Sequence, residues 1–565
     1  MTVYPCVLGN KLARSGIGRP RLTRGCLQMC VCVAPPSQIH RHSPVLMWSS
    51  CLSPWQHGDQ HWSLAFSQMA TPQTRPARES TVPSGSRIPS YLLLLGEESE
   101  AGLQSVCVCR VPELQTGGAD HQETTARRCV STQQMDVNPS CVQLSVLPSR
   151  GLVDEKFTVL VQKAPPGLQL TLHALHKCDD GHSWEAFAHY CTSAAGTINV
   201  SEDPSLGGTY SGVEQMGLLW SLRPVPGSRP WIGLRKVNAQ SPMVFTISVY
   251  TGHQTEGFVG LVPLAGVEVE RWYVAPGVQR IPVTEDGLSA VLYLPPGPGP
   301  FPGVLDLWGG GGKLVEYRAA LLASHGFASL ALDYLTPKVT LETGKLVGND
   351  YFEKAYRVLQ QHPQVLGSRI AMIGLSFGTS MTLKMAAYSE VIKLRCAVCI
   401  SGSHVQPVDG SISEIMSFLS GKAAKTRVTD DNQVIWRDLL LPIPTDPTLK
   451  VDMGRLRCPL LLVVGEDDMN WPSCESAADM KDMMQRAGNS HLLTVLQYPN
   501  AGHLIEPPYT PLTRASYFKS ATSDKKAIAL WGGQTVAHAH AQEDAWRKIL
   551  VFLRENLYGA TDPTL

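Results

Sequence analysis

Ile370-Ala371-Met372-Ile373-Gly374-Leu375-Ser376-Phe377-Gly378 is the stretch whose reading decides the fold. Four apolar residues of strand length run into G-x-S-x-G. Residues 379–387 then follow with neither Pro nor Gly and with apolar side chains at helical spacing. Strand, G-x-S-x-G, helix is the context in which a serine is carried on a sharp turn with its hydroxyl exposed. The glycines remove the Cβ atoms that would clash in so tight a turn. The motif is short, and a plain Gly/Ser turn reads the same way until partners for the serine are found.

A hydroxyl is a weak nucleophile at neutral pH and needs a base, which in turn needs an acid to orient it. In hydrolases of the α/β type the chain order is Ser, then Asp or Glu, then His, each beyond a strand. Cys458-Pro459-Leu460-Leu461-Leu462-Val463-Val464 reads as a buried strand, and Gly465-Glu466-Asp467-Asp468 follows it. Residues 492–498 read as another strand, followed by Pro499-Asn500-Ala501-Gly502-His503. A lone histidine after a strand is usually solvated. Three residue types in the required order, each just past a parallel-strand pattern, point to a nucleophilic triad of Ser376, an acid at 467 or 468, and His503.

A fourth component lies upstream. Pro302-Gly303-Val304-Leu305-Asp306-Leu307-Trp308 reads as a strand, Gly309-Gly310-Gly311-Gly312 as a loop, and residues 314–324 as a helix. Such a loop lets backbone N–H groups approach a ligand, and with the N–H of Phe377 it could form an oxyanion hole. Gly310 and Gly311 are the candidate donors, and the choice between them is open. A phosphate cradle is the competing reading, but neither G-K-[ST] nor G-x-G-x-x-G is present.

With these pieces in place the chain resembles the acyl-CoA thioesterases related to bile acid-CoA:amino acid N-acyltransferase, from about Asn138 to Leu557. The resemblance is carried by Leu206-Gly207-Gly208-Thr209-Tyr210, Met216-Gly217-Leu218-Leu219-Trp220, Gly299-Pro300-Phe301-Pro302-Gly303, Val464-Gly465-Glu466-Asp467-Asp468, Gly502-His503-Leu504-Ile505-Glu506-Pro507-Pro508-Tyr509 and Trp531-Gly532-Gly533. It implies an α/β-hydrolase catalytic domain, a triad on Ser376, Asp468 and His503, and an acyl-CoA substrate. It also implies a hydrolase of the fatty acyl-CoA thioester, yielding free acid and CoA. The family's amino-acid transferases carry Cys at the nucleophile, so Ser376 favours hydrolysis. Conjugation of the acyl group to glycine or taurine is the alternative.

Composition bounds the rest. The 565 residues carry 48 basic and 48 acidic side chains, a formal net charge of zero, with no basic block of the kind that binds nucleic acid. CoA carries phosphates, and Lys313 and Arg318 beside the glycine loop are candidates to meet them. No apolar run reaches the length of a membrane span, and no signal-peptide segment opens the chain. Of fifteen cysteines, eight precede residue 135, and the one C-x-x-C spacing, Cys396-Ala397-Val398-Cys399, lies in an apolar strand run. They read as reduced thiols with no metal, Cys396 and Cys399 as core. The mechanism needs no cofactor, and oligomeric state is left open.

Residues 1–134 are rich in Pro, Ser, Arg and Cys without a sustained period. They read as a disordered or targeting extension, or as a mistaken start ahead of Met135. Residues 135–266 show alternating runs (Val142, Leu144, Val146; Phe157, Val159, Val161; Leu168, Leu170, Leu172; Phe245, Ile247, Val249) and turn clusters, the pattern of a small antiparallel β-sandwich. Residues 267–560 alternate strands near 303–308, 327–333, 370–374, 394–401, 459–464 and 492–498 with helices near 314–325, 350–361, 377–388, 474–487 and 541–556. That rhythm indicates a mostly parallel doubly wound sheet, interrupted by an insertion near 403–452 that shapes the acyl pocket. Pro563-Thr564-Leu565 ends in the Leu of a peroxisomal signal without its basic middle residue. The expected compartment is the cytosol, with mitochondrion and peroxisome as alternatives.

Overall fold

The computed structural model describes residues 142–519 and 526–559; the expected extension 1–134, Met135 and the C-terminal tripeptide lie outside them. Its first part is two sheets packed face to face. A three-stranded sheet holds Gln143–Leu147, Thr158–Gln162 and Ile198–Asn199. A six-stranded sheet runs Arg150–Leu152, Ala265–Trp272, Met243–Thr251, Gln169–Lys177, Ser183–Cys191, Arg223–Pro224. Pairing is antiparallel except between Arg150–Leu152 and Ala265–Trp272. Leu144, Val146, Val159 and Val161 of the small sheet share one core with Leu170, Leu172, Ile247 and Val249 of the large one.

The central strand Gln169–Lys177 departs from simple alternation, because its outer face is covered too. His173 stacks on Phe258 at 4.0 Å, and Phe258, Phe187 and Tyr250 form a separate buried aromatic cluster there. The division expected between 266 and 267 falls inside Ala265–Trp272, a strand paired with Met243–Thr251 along seven residues from Met243↔Arg271 to Val249↔Ala265. The change of sheet therefore comes between Trp272 and Gln279.

The catalytic sheet has eight strands: β1 (Gln279–Val283), β2 (Ala290–Leu294), β3 (Phe301–Leu307), β4 (Ala328–Leu332), β5 (Val365–Leu375), β6 (Cys396–Ile400), β7 (Leu460–Gly465) and β8 (Leu493–Tyr498). Their order is β1-β2-β4-β3-β5-β6-β7-β8. The pairs β1·β2 and β2·β4 are antiparallel and the other five parallel, which makes an α/β-hydrolase sheet. Every residue of β4, β6 and β7 is buried. Strands covered by helices on both faces read as unbroken apolar runs, which is why this part of the fold is visible in the sequence.

The longer helices are α1 (Tyr317–Ser324), α2 (Asn349–Gln361), α3 (Phe377–Tyr388), α4 (Ile412–Gly421), α5 (Ser473–Ala487) and α6 (Thr535–Leu557). Helix α1 starts three residues later than expected. Lys313 has φ 70° and donates its N–H to Thr336 Oγ1 at 2.6 Å, so the loop runs on. The Glu316 carboxylate at the helix entrance is taken up by Arg280 at 2.7 and 2.9 Å and by the Tyr293 hydroxyl at 2.6 Å.

The insertion between β6 and β7 contains α4, capped by the reciprocal bonds of Ser411 and Glu414, and a hairpin of Arg427–Val428 and Gln433–Ile435. That hairpin joins a four-stranded sheet with Lys526–Leu530 and Ala515–Lys519, strands that follow the His503 loop. Two distant insertions thus meet over the carboxyl end of the main sheet. Among the described residues no helix is long and apolar enough to cross a membrane.

Candidate active site

Strand β5 ends at Leu375 and α3 begins at Phe377, leaving Ser376 alone at the turn with φ 57° and ψ −121°. A non-glycine residue there is strained by about 1–3 kcal/mol, which the surroundings must over-determine. They do: Ser376 N–H donates to Ile400 O of β6 at 2.8 Å, and Thr379 Oγ1 donates to Gly374 O and Ile400 O at 3.1 and 3.0 Å. Both flanking glycines are obligatory. A Cβ on Gly374 would lie 2.3 Å from Gly378 O, and one on Gly378 would lie 2.4 Å from Leu307 O.

Asp468 follows β7 and His503 follows β8, and the fold brings them together at 3.0 Å between Asp468 Oδ2 and His503 Nδ1. Asp468 is 1% exposed, His503 0% and Ser376 7%. The other carboxylate oxygen, Oδ1, accepts the N–H groups of Asn470 and Trp471, each at 2.9 Å. His503 is held by its N–H to Trp531 O at 2.9 Å and by its ring, which stacks on Trp531 at 5.5 Å.

Asp467, the neighbouring acid, faces elsewhere. Its Oδ2 accepts Gly533 N–H at 2.7 Å and an Arg514 N–H at 3.2 Å.

One expectation is altered. Among the described residues His503 Nε2 has no hydrogen-bond partner. Ser376 Oγ instead accepts the indole N–H of Trp471 at 3.1 Å. Trp471 was not a sequence candidate, although its signal was there. An aspartate that binds the N–H groups two and three residues on folds the chain back over itself, and that returns the residue three past Asp468 to the acid's own site.

The glycine loop sits against the elbow. A Cβ on Gly309 would be 3.1 Å from Ser376 Cβ and 3.6 Å from its Oγ. At Gly310 it would be 3.9 Å from Phe377 Cβ and from Phe518, and at Gly311 3.5 Å from Phe518. Gly309 is thus nearer the serine than either residue singled out from sequence. Phe377 is the first residue of α3, where an N–H has no acceptor within the helix.

Arg318 does not face solvent. It is 2% exposed, ion-paired with buried Asp306 and bonded to Leu307 O, its guanidinium 5.4 Å from the Trp308 ring centre. That removes it as a contact for phosphate. Lys313 remains exposed beside the loop.

Two further groups lie near the site, His538 buried and Glu506 half-buried. His538, at the start of α6, accepts Gly502 N–H on Nδ1 at 3.0 Å and donates from Nε2 to Leu504 O at 2.8 Å, bracing the residues on both sides of His503. Burial above all, with the nearby His503, holds it down at about 4. Glu506, half-buried and bonded to the Tyr317 hydroxyl at 3.0 Å, is pushed up to about 7, chiefly by loss of solvent around its carboxylate. Above the site a ring series runs from Trp436 of the insertion to Phe518 at 5.6 Å, Phe518 to Trp531 at 5.4 Å, and Trp531 to His503. The insertion therefore reaches His503 through Phe518, on a strand that sequence reading does not reveal.

Comparisons with known proteins agree with this architecture. Residues 154–285 match the acyl-CoA thioester hydrolase/BAAT N-terminal region, and residues 347–559 match the BAAT/acyl-CoA thioester hydrolase C-terminal region. The peroxisomal succinyl-coenzyme A thioesterase of Mus musculus is 36% identical over 426 residues, 74% of this chain and 97% of that one. Acyl-coenzyme A thioesterase 5 of the same species is 37% identical, over 73% of this chain and 96% of that one. The mitochondrial acyl-coenzyme A thioesterase 2 of Homo sapiens is 35% identical, over 72% and 82%. A solved acylaminoacyl peptidase overlaps 75% of this chain and 62% of its own at 12% identity and a TM-score of 0.35, too loose a likeness to carry an argument. With an identity above 35% along almost the whole length of such relatives, the chain belongs to the acyl-CoA thioester hydrolase/BAAT family.

Proposed function

We propose that this protein hydrolyses fatty acyl-CoA to free acid and CoA through a Ser376–Asp468–His503 triad. The observation that carries the reading is the buried 3.0 Å contact of Asp468 with His503, on the loops beside a serine held at a strained elbow. The thioesterase names of its relatives supply the substrate class.

A thioester carbonyl is less resonance-stabilised than an ester's, and its thiol is acidic enough to leave as thiolate. His503 Nε2 takes the hydroxyl proton as Ser376 Oγ attacks, and Asp468 keeps the imidazole proton on Nδ1. The oxyanion is met by Phe377 N–H and by an N–H of the glycine loop, from Gly310 or Gly311. CoA departs as its sulfur takes up the proton from His503, and the neutral imidazole then activates water against the acyl-enzyme. Serine at the nucleophile position favours water over an amine as final acceptor.

A panel of acyl-CoA chain lengths, with taurine and glycine present, tests the reading by measuring free acid against N-acyl amide. Predominant amide would make the protein a transferase. The cytosol is the compartment we favour. Fluorescent fusions at each end decide it, and mitochondrial or peroxisomal import, as in the names of two relatives, would overturn it.

A further inference from the structure

Trp471 holds the reacting oxygen by a hydrogen bond that the triad does not account for. Its indole N–H can donate and cannot accept, and it points at Ser376 Oγ at 3.1 Å. The residue is 9% exposed and belongs to the same buried cluster as Phe377 of the elbow helix and Ile412, Ile415 and Leu440 of the insertion. Its backbone N–H is fixed by Asp468 Oδ1 at 2.9 Å, while Oδ2 of the same carboxylate faces His503. One acid therefore sets both the base and this donor. The chain between them is also tied down, because Met469 O accepts the N–H groups of Trp436 and Arg437 at 3.1 and 3.2 Å.

We propose that Trp471 is a catalytic residue of the second half-reaction, the step that frees Ser376 from its acyl group; this rests on the thioesterase reading above. In the first half-reaction Oγ bonds to the carbonyl carbon, its proton passes to His503, and the C–S bond breaks with the electron pair leaving on sulfur, which then takes that proton so that the imidazole is neutral again. A thiolate departs readily, and a hydrogen bond at Oγ does nothing for it. In the second, water bonds to the acyl carbon and gives its proton to His503. The C–Oγ bond then breaks, its electron pair returns to Oγ, and His503 returns the proton there. The leaving atom is now a serine oxygen, far more basic than a thiolate. A rigid N–H aimed at Oγ stabilises the charge that gathers on it before the proton arrives. The donor is preorganised by burial and by Asp468, so no reorganisation is needed at that moment. In the first half-reaction the same N–H slightly lowers the nucleophilicity of Oγ, so its benefit belongs to the second alone.

Trp471→Phe tests this, since the apolar ring stays and the N–H goes. Loss of a hydrogen bond to a charged group corresponds to about 10- to 100-fold in rate. We expect kcat to fall by that factor while kcat/KM, which reports the acylation half, stays within about threefold. CoA release should become biphasic, with a burst equal to the concentration of active sites, and the acyl-enzyme should be visible by intact-protein mass spectrometry. Titration with a fluorophosphonate counts folded sites, so loss of folded enzyme cannot imitate the result. A parallel fall of kcat and kcat/KM without a burst would overturn the assignment, as would unchanged values of both. Absence of CoA release by the wild-type protein would instead remove the thioesterase reading itself, and this inference with it.

Discussion

Asp468→Asn separates the two adjacent acids by more than any other single change. The amide keeps an oxygen at the Oδ1 position, where it still accepts the N–H groups of Asn470 and Trp471 at 2.9 Å. Its nitrogen is then left facing His503 Nδ1, across the 3.0 Å that Oδ2 now spans. A donor there makes Nδ1 an acceptor and moves the imidazole proton to Nε2, the atom that must receive the proton of Ser376. Two losses combine. The charge-assisted bond that steadies the imidazolium is worth about 1.5–3 kcal/mol, or roughly 10–100-fold. The wrong tautomer raises the total to about 10³–10⁴ in kcat, as in other serine hydrolases with this exchange. Asp467→Asn should cost less than about tenfold, because its partners are Gly533 N–H and a half-exposed Arg514, an ion pair worth at most about 1 kcal/mol. The assay is CoA release followed with a thiol reagent, on variants with wild-type melting midpoints. If Asp468→Asn stayed within tenfold of wild type, or Asp467→Asn cost more than it, the orientation argument would be wrong.

Ser376→Ala and His503→Ala should each lower kcat by about 10⁴–10⁶, and the double variant by little more than either, because the residues act as a unit. Additive losses would show that they do not. Gly378→Ala drives a Cβ into Leu307 O and Trp308 O at 2.4 and 2.8 Å and should destabilise the fold by about 1–3 kcal/mol, read from urea midpoints. His538→Gln should keep the bonds to Gly502 and Leu504 and remove a titration. With His538 held near 4 against an ordinary 6.5, the unfolded chain binds the extra proton between those values, so its stabilising contribution is complete above about 6.5 and is lost as pH falls toward 4. The wild-type protein should therefore lose about 2–3 kcal/mol more than the Gln variant between pH 7 and pH 4.5. Glu506 titrates in the opposite sense, its contribution fading as pH rises toward 7, and cancels in that difference because both proteins carry it. Equal losses would exclude His538 as the group.

What the sequence makes legible follows burial. Strands β4, β6 and β7 are covered on both faces and appear as apolar runs, and the elbow appears through its glycines, whose Cβ positions are occupied by backbone. Ala290-Val291-Leu292-Tyr293-Leu294 is an equally apolar run, entirely buried as β2, but it precedes the strand–helix rhythm and is read only in hindsight. The strands Ala515–Lys519 and Lys526–Leu530 are half-exposed and carry no clean alternation, so the sheet that brings Phe518 over the glycine loop is invisible to periodicity. Helix α6 begins six residues earlier than its apolar spacing suggests. Its first turn is tied down by His538 bonding across to the His503 loop, a tertiary cause that no local pattern records.

The adjacency of Asp467 and Asp468 carries the last step of the argument. Consecutive side chains leaving a strand point to opposite sides, and here one acid holds the histidine while the other holds backbone near it. Asp468 grips the ring at Nδ1. Asp467 grips the backbone beneath it, with its own N–H on Ala501 O at 2.9 Å and its carboxylate on Gly533 N–H, one turn of chain from the Trp531 carbonyl that binds His503 N–H. His538 closes the cage through residues 502 and 504. The base is thereby fixed through its ring, its own backbone and both neighbours. The serine, by contrast, turns its oxygen toward Trp471, so the freedom left in the site lies at Ser376 Oγ. Oγ has to turn from Trp471 toward His503 to lose its proton, and the indole N–H it leaves is placed to act when that oxygen departs from the acyl group.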